Sequence, residues 1–377
     1  MKKIIFVSKL SSLNSNASST DITTNNLIDG LHDLNLEIIF IVFGNDINDT
    51  YKRDIINSYS SKINKFIFLK CPIGNVHNKY VSLFKTIKYF FRKNYYKKFV
   101  ASLKENIDDS TILLSHSPSI ETILLCREIK KNYIIRWIEY WSDPYTLNGI
   151  NPENYNFKRF LFKALENKFL SYCDEIVYAP KTLYTFQKRF LTNYSYKMRY
   201  VEASYCNNNY DDENKLQPSL FIYAGNYYSS IRNIKPLFDA FLELKEYELD
   251  VFGSGDISCS SSNVNIKGRI SPNELKNIES KYQNIVCIMN SNCIQIPGKI
   301  FYRMNHNQNI LVICDGIHQD ELIDYLKSFK RFVIVKNNKE SIINGIKNIN
   351  KCKFDTKAIN CDYSPKKVAY DIIKKKE

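Results

Sequence analysis

No stretch of this sequence reaches the roughly eighteen consecutive apolar residues that a membrane-crossing helix requires, so no segment is expected to span a bilayer. The opening MKKIIFVSKLSS has two lysines but only four consecutive apolar residues before Ser8, too few for a secretory signal. None of the ten cysteines forms a CxxC pair. Cys71, Cys126, Cys173, Cys206, Cys259 and Cys287 are scattered, most of them inside apolar runs, and read as reduced thiols that pack as small hydrophobes. That argues against disulfide and zinc roles and places the chain in the cytosol. Low-complexity tracts and short repeats are also missing, apart from generous use of Asn and Lys.

What is present suits a globular protein of two domains: 377 residues, 44% apolar and 24% charged. Lys and Arg number 53 against 39 Asp and Glu, a net charge of +14 that attracts anionic partners through solution. Nucleic acid, anionic lipid and phosphorylated small molecules all fit that field.

Short apolar runs at 2–7, 36–44, 65–70, 111–116, 133–140 and 175–180 read as buried strands, with helical stretches between them such as 24–34. The pattern pauses at YCNNNYDDENKLQ, 205–217, which is nearly free of apolar residues and reads as a linker. It restarts with SLFIYAGN (219–226), ELDVFGSGD (248–256), VNIKGR (264–269), IVCIMN (285–290), ILVICDG (310–316) and FVIVKN (332–337). Strands alternating with helices predict α/β architecture, two parallel-sheet units in succession. The expected division is an N-terminal domain over 1–205, a linker over 206–217, a second domain over 218–360 and a C-terminal helix over 361–377 that crosses back to the first domain. In such sheets ligands sit beyond the carboxyl ends of the strands.

One stretch poses a question of charge. In IQIPGKIFYRMNHNQNILVI, 294–313, a Pro-Gly break precedes Lys299 at the mouth of an expected helix. A helix start is already electropositive, so a cation there calls for an anion.

Four pieces in order, FIYAGNYYSSIRNIKPLFDAFLEL, LDVFGSGD, VNIKGRISPNEL and IPGKIFYRM followed by NILVI, resemble the donor-binding domain of GT-B glycosyltransferases like those of family four, over roughly 219–315. The resemblance implies two Rossmann-like domains facing across a cleft and a nucleotide-sugar donor held by Gly225, Asn226, Arg232, Gly253, Ser254, Arg269, Lys299 and Tyr302. Gly225 matches the family's Gly-Arg, Asn226 replaces the Arg, and Arg232 stands where a Lys is usual. Tyr302 replaces a carboxylate that binds ribose hydroxyls; a phenol lacks its two acceptor oxygens. Plainer readings stand beside these: Arg232 as an exposed cation at a helix start, the GSGD turn as ordinary strand-to-helix punctuation, and Ser271 with Glu274 as a capping box.

The first half resembles the family less closely. SKLSSLNSNASSTD replaces the usual Gly-Gly loop and reads as turns. His116 ends one expected strand, and Asp143 follows another where family members carry a His-Asp pair; both are candidate catalytic residues that orient the acceptor hydroxyl. Asp143 before Pro144 also reads as a turn start. Tyr140, Trp141 and Tyr145 beside that carboxylate are expected to form a sugar platform, and Glu166 is read as structural. KYVSLFKTIKYFFRKNYYKK, 79–98, holds seven cations, seven aromatics and no acid. Its helical spacing nominates Lys85, Lys88, Phe91 and Arg92 for contact with an anionic membrane surface, the alternative being a core-packed helix with solvated lysines.

The resulting expectation is a hexosyltransferase moving sugar from a nucleotide sugar to a glycan or lipid-linked acceptor in bacterial surface-polysaccharide synthesis, with retention, no bound metal and no cofactor. It would lie peripherally on the inner face of the cell membrane, with no nucleic acid partner, in a possible biosynthetic complex. A sugar-nucleotide epimerase and a non-catalytic glycan- or partner-binding scaffold on the same fold are the rival readings.

Overall fold

The computed structural model describes residues 2–10, 19–44, 47–70, 96–116, 120–146, 157–206, 217–291, 296–316, 318–352, 354, 359 and 361–375. These fall into two compact units, one running through Ser204 and taking up the chain again from Pro365, the other from Tyr205 to Ser364. Residues 207–216 of the expected linker (206–217) and the residues Lys85, Lys88, Phe91 and Arg92 of the basic tract lie outside the described residues, while Gln217 already belongs to a strand.

In the first unit the described strands are β1 (Lys3–Ser8), β2 (Glu37–Gly44), β3 (Lys65–Lys70), β4 (Ile112–His116), β5 (Arg136–Trp141), β6 (Glu175–Tyr178) and β7 (Met198–Tyr200). They form one sheet in the order β3-β2-β1-β4-β5-β6-β7. Every pairing is parallel, as short apolar runs separated by helices require. Ile4 to Val7 and Ile38 to Phe43 are buried throughout, as befits strands covered on both faces. The edge strand β7 had no counterpart in the sequence reading, because three residues of Met-Arg-Tyr carry no apolar run.

The helix Pro365–Ile373 belongs to this unit, lying against the helix Ser19–Asp33. Their backbones meet at Gly30, where a Cβ would stand 2.0 Å from the Pro365 carbonyl oxygen. Its carboxyl end is held by two arginines: Arg136 donates to the Ile373 and Lys374 carbonyls at 2.6 and 2.8 Å, and Arg199 to those of Asp371 (2.7 Å) and Ile372. Glu175 pairs with both guanidinium groups, so terminal carbonyls that a helix cannot satisfy internally find fixed donors.

The second unit contains β8 (Gln217–Ala224), β9 (Glu248–Phe252), β10 (Val264–Ile266), β11 (Tyr282–Ile288), β12 (Asn309–Cys314) and β13 (Val333–Lys336). Their order is β10-β9-β8-β11-β12-β13, again wholly parallel. β8 is central, and the order reverses around it, so its carboxyl end opens where the crossovers diverge to opposite sides. The capping box is present: Ser271 Oγ accepts from Glu274 N at 3.3 Å, and Glu274 Oε2 accepts from Ser271 N at 2.9 Å, opening the helix Pro272–Glu279.

Candidate functional site

The site is built where β8 ends. Gly225 turns the chain with φ +150°, outside the range that side-chain-bearing residues favour, and its N–H donates to the Phe252 carbonyl at 2.8 Å. The loop after β9 closes on it so tightly that a Cβ on Gly253 would lie 2.0 Å from the Gly225 oxygen. Asn226 and Ser254 join the two loops, the Asn226 Oδ1 accepting from Ser254 Oγ at 3.3 Å. The segment beyond is pinned by Asp256, whose carboxylate oxygens accept from Ser229 N at 2.9 and 3.0 Å.

Two cations converge on this turn. A Cβ placed on Gly225 would stand 3.2 Å from Lys299 Nζ and 3.8 Å from Arg232 Nη1. Arg232 is aimed by Asn290, whose Oδ1 accepts from its Nε at 2.7 Å, and by the Asn226 carbonyl, 3.4 Å from Nη1. Lys299 reaches back across the sheet end to donate to the Ala224 carbonyl. Its ammonium lies 4.7 Å from the centroid of the buried Tyr223 ring. Among the described residues, neither cation has a carboxylate partner within salt-bridge distance. The nearby Glu279 is committed to a buried pair with Arg303.

Desolvation lowers the Lys299 ammonium to a pKa of about 8, with Arg232 and Arg303 pushing the same way against the opposing pull of Cys287 and Glu279. Burial pushes the Tyr223 phenol up to about 12, so it remains a neutral donor to the Asn226 carbonyl at 3.2 Å. Two cations without a carboxylate partner within salt-bridge distance among the described residues, beside a backbone turn that excludes a side chain, have the chemistry to receive an anion with several oxygens.

Lys299 opens a helix as expected, but a short one, Lys299–Tyr302, and Gly298 supplies no side-chain cap. The features that suit an anion here are the two cationic side chains and the turn at Gly225 rather than the end of so short a helix. Tyr302 is half-buried, its carbonyl accepting from Cys206 N at 3.2 Å. Arg269 stands exposed beyond Gly268 and is not hydrogen-bonded to the cluster. Tyr223 and Asn290 were missed in the sequence reading. Tyr223 lies within the predicted strand 219–226 and Asn290 is the last residue of the predicted strand 285–290, which was the available signal.

In the first unit His116 is fully buried at the end of β4. Its Nδ1 is 2.9 Å from Thr24 Oγ1, and that hydroxyl already donates to the Thr20 carbonyl at 3.0 Å. On the other side of the ring, Nε2 stands 3.4 Å from Ser142 Oγ. Burial depresses the imidazole to a pKa of about 3 and keeps it neutral. Among the described residues Ser142 is the half-buried polar side chain that His116 meets, and the full burial of His116 corrects the expectation of a strand-end residue open to ligand. Asp143, half-buried, follows Ser142 directly.

The expected sugar platform is corrected as well. Tyr140 and Trp141 are buried, the first beside the His116 ring at 5.1 Å and the second donating from Nε1 to Glu139, so neither offers a free face. Tyr145 is half-buried, with edge contacts to Phe162 and Phe169 at 5.5 and 5.7 Å. The platform was expected from aromatics clustered beside Asp143, whereas Trp141 and Tyr178 meet edge to face inside the core. Glu166 is structural, its carboxylate accepting from Gln187 Nε2 at 3.0 Å and Thr146 N at 3.2 Å.

No known family profile matches the sequence, and no curated protein matches it significantly. Solved structures do. Sucrose-phosphate synthase from Thermosynechococcus elongatus is 13% identical with a TM-score of 0.60, covering 99% of this chain and 94% of that one. A glycosyltransferase from Rickettsia africae is 15% identical with a TM-score of 0.59 over the whole of both chains. HepE of Anabaena, in complex with UDP and glucose, is 9% identical with a TM-score of 0.53, covering 98% and 95%. At these identities the similarity establishes architecture, and the chain has the fold of the GT-B glycosyltransferases.

Proposed function

We propose that the protein is a glycosyltransferase that takes a sugar from a nucleotide-diphosphate sugar. The observation that carries this reading is the convergence of Lys299 and Arg232, both lacking a carboxylate partner among the described residues, on the Gly225 turn at the carboxyl end of β8. A diphosphate has the charge and the oxygen geometry to occupy that position. In the reaction the anomeric carbon–oxygen bond to the diphosphate breaks, a bond to an acceptor hydroxyl oxygen forms, and the hydroxyl proton is released. The negative charge that grows on the departing diphosphate meets two cations already oriented by Asn290, Asn226 and the Ala224 carbonyl, so little reorganisation is needed. The HepE structure, which holds UDP and glucose, supports a donor of this class.

The acceptor we assign is a saccharide or lipid-linked oligosaccharide of bacterial surface-polysaccharide synthesis, used at the inner face of the cell membrane. Retention of anomeric configuration, transfer without a metal or other cofactor, and membership of a biosynthetic complex belong to the same reading. The +14 net charge supports an anionic membrane surface as the place of work. Incubation with a panel of nucleotide sugars and lipid-linked acceptors, read by mass spectrometry, tests it. Transfer is expected from one donor; release of an isomerised free nucleotide sugar would point to an epimerase, and no transfer with no nucleotide-induced rise in melting temperature would overturn the donor reading.

A further inference from the structure

Between Lys181 and Tyr200 the sequence has five Lys and Arg residues, four tyrosines and no Asp or Glu. This stretch forms the helix Lys181–Phe190, the 3-10 turns Thr192–Lys197 and the sheet-edge strand β7. A cavity of about 380 Å³ is lined by Tyr184, Lys188, Ser195, Tyr196, Arg199 and Tyr200, among others. It belongs to the first unit, whereas the donor cluster belongs to the second.

Its frame is fixed by the buried side of the same stretch. Leu183 and Gln187 are buried, and Gln187 is tied to Glu166. Lys197 donates to the carbonyls of Ser171 and Cys173 at 3.2 and 2.7 Å, anchoring the 3-10 turns. Arg199 is held by Glu175 and by the end of the C-terminal helix. The outward residues are of another kind. Tyr196 and Tyr200 are 67% and 42% exposed, and Lys181 and Lys188 are exposed as well. The Tyr184 and Tyr200 rings lie 5.5 Å apart, with Lys188 donating to the Tyr184 hydroxyl at 3.1 Å and Lys181 poised 5.6 Å from the Tyr200 ring.

We infer that this cavity binds an anionic saccharide segment, one whose sugar rings carry carboxylate or phosphate groups. Tyrosine offers a flat apolar face to a pyranose and a hydroxyl to its hydroxyls, while the lysines meet the charge. The volume falls within the range of about 300 to 1,000 Å³ typical of small-ligand sites. A bilayer fits less well: within this stretch the exposed large apolar residues are Tyr196 and Tyr200, and no exposed aliphatic side chain or Phe stands ready to enter an acyl layer. The site is independent of the donor reading and would bind a charged glycan apart from the nucleotide site.

The test uses the full chain with a hyaluronan octasaccharide, pentamannosyl phosphate, neutral maltooctaose and vesicles of phosphatidylcholine and phosphatidylglycerol. Binding of at least one anionic oligosaccharide is expected, weakened tenfold or more by Lys188→Glu combined with Tyr196→Ala, with melting temperature and any UDP-induced thermal shift unchanged. Lys188→Ala alone, a milder change at an exposed position, is expected to weaken the same probe severalfold. Binding of neither anionic oligosaccharide, equal binding of maltooctaose, binding to vesicles only, or undiminished binding by folded variants would overturn the inference. A missing UDP shift in the natural chain would count against the donor site and leave this one standing.

Discussion

The Lys299 ammonium lies 4.7 Å from the centroid of the Tyr223 ring and donates to the carbonyl of the next residue, Ala224. A cation over an aromatic face recovers part of the hydration lost on burial. The carbonyl directs it to the Gly225 turn, where Arg232 also arrives. The charge is thus held in place before any ligand adds to it.

Replacing Lys299 with Ala removes one of the two cations. A charge-assisted hydrogen bond is worth about 1.5 to 3 kcal/mol, so the dissociation constant for a nucleoside diphosphate should rise roughly ten- to a hundredfold. Calorimetric titration measures it. Tyr223→Phe keeps the ring and both cations and loses only hydroxyl contacts, to the Asn226 carbonyl and to Arg232, so its effect should be smaller, and equal losses in the two variants would refute the assigned division of labour.

Donor binding should depend on pH through the same residue. Lys299 is cationic below its pKa of about 8 and neutral above it. Affinity should therefore hold from pH 6 to about 7.5 and fall as the pH rises through 8 to 9, the transition moving upward once the anion is bound. Thermal-shift titrations across that range would show it, and Lys299→Ala should flatten the profile.

A second pH effect belongs to the first unit. Burial raises the Glu139 carboxyl to about 8 and Glu166 to about 7, despite their hydrogen bonds, from the ordinary value of 4.5. Between pH 4.5 and these values the folded protein holds protons that the unfolded chain has released, so the stability they contribute is present at low pH and is lost as the pH rises through 7 to 8. Glu139→Gln, which keeps shape and polarity without the charge, should reduce the decline. Chemical denaturation at pH 5, 6.5 and 8 reads it out, and an identical slope in the variant would remove Glu139 from the account.

The two loops at the site differ in tolerance. Gly253→Ala would drive a Cβ to 2.0 Å from the Gly225 oxygen, so the second unit should unfold at markedly lower denaturant, and nucleotide binding should fail with it. Gly268 has φ +74° with open space around it, and Ala there should cost only about 1 kcal/mol, the strain of a left-handed backbone. Denaturant midpoints of the two variants provide the comparison, and equal costs would contradict the close approach of the loops.

Much of this was legible in the chain itself. Strands of four to eight apolar residues, separated by helical stretches, appear near their predicted places because burial on both faces of a parallel sheet leaves little freedom in composition. Gly225, Gly253 and Arg232 could be nominated through the resemblance to the GT-B donor-binding domain, and Lys299 also because a cation after a Pro-Gly break is a local signal. The sugar platform could not be judged locally. Tyr140 and Trp141 are buried under neighbouring elements, and sequence spacing does not reveal what covers a side chain. His116 likewise reads as a site residue until Thr24, ninety-two positions earlier, is found against its Nδ1.

The amino-acid order alone, through period and punctuation, determined an α/β chain with strands ending in glycine turns and an excess of positive charge. Tertiary structure decided which charges matter. Arg199 and Arg303 are paired with Glu175 and Glu279, whereas Arg232 and Lys299, equally basic on paper, meet at one turn and form no salt bridge among the described residues. Electrostatic attraction depends on distance in space and on the water excluded between charges, and folding sets both.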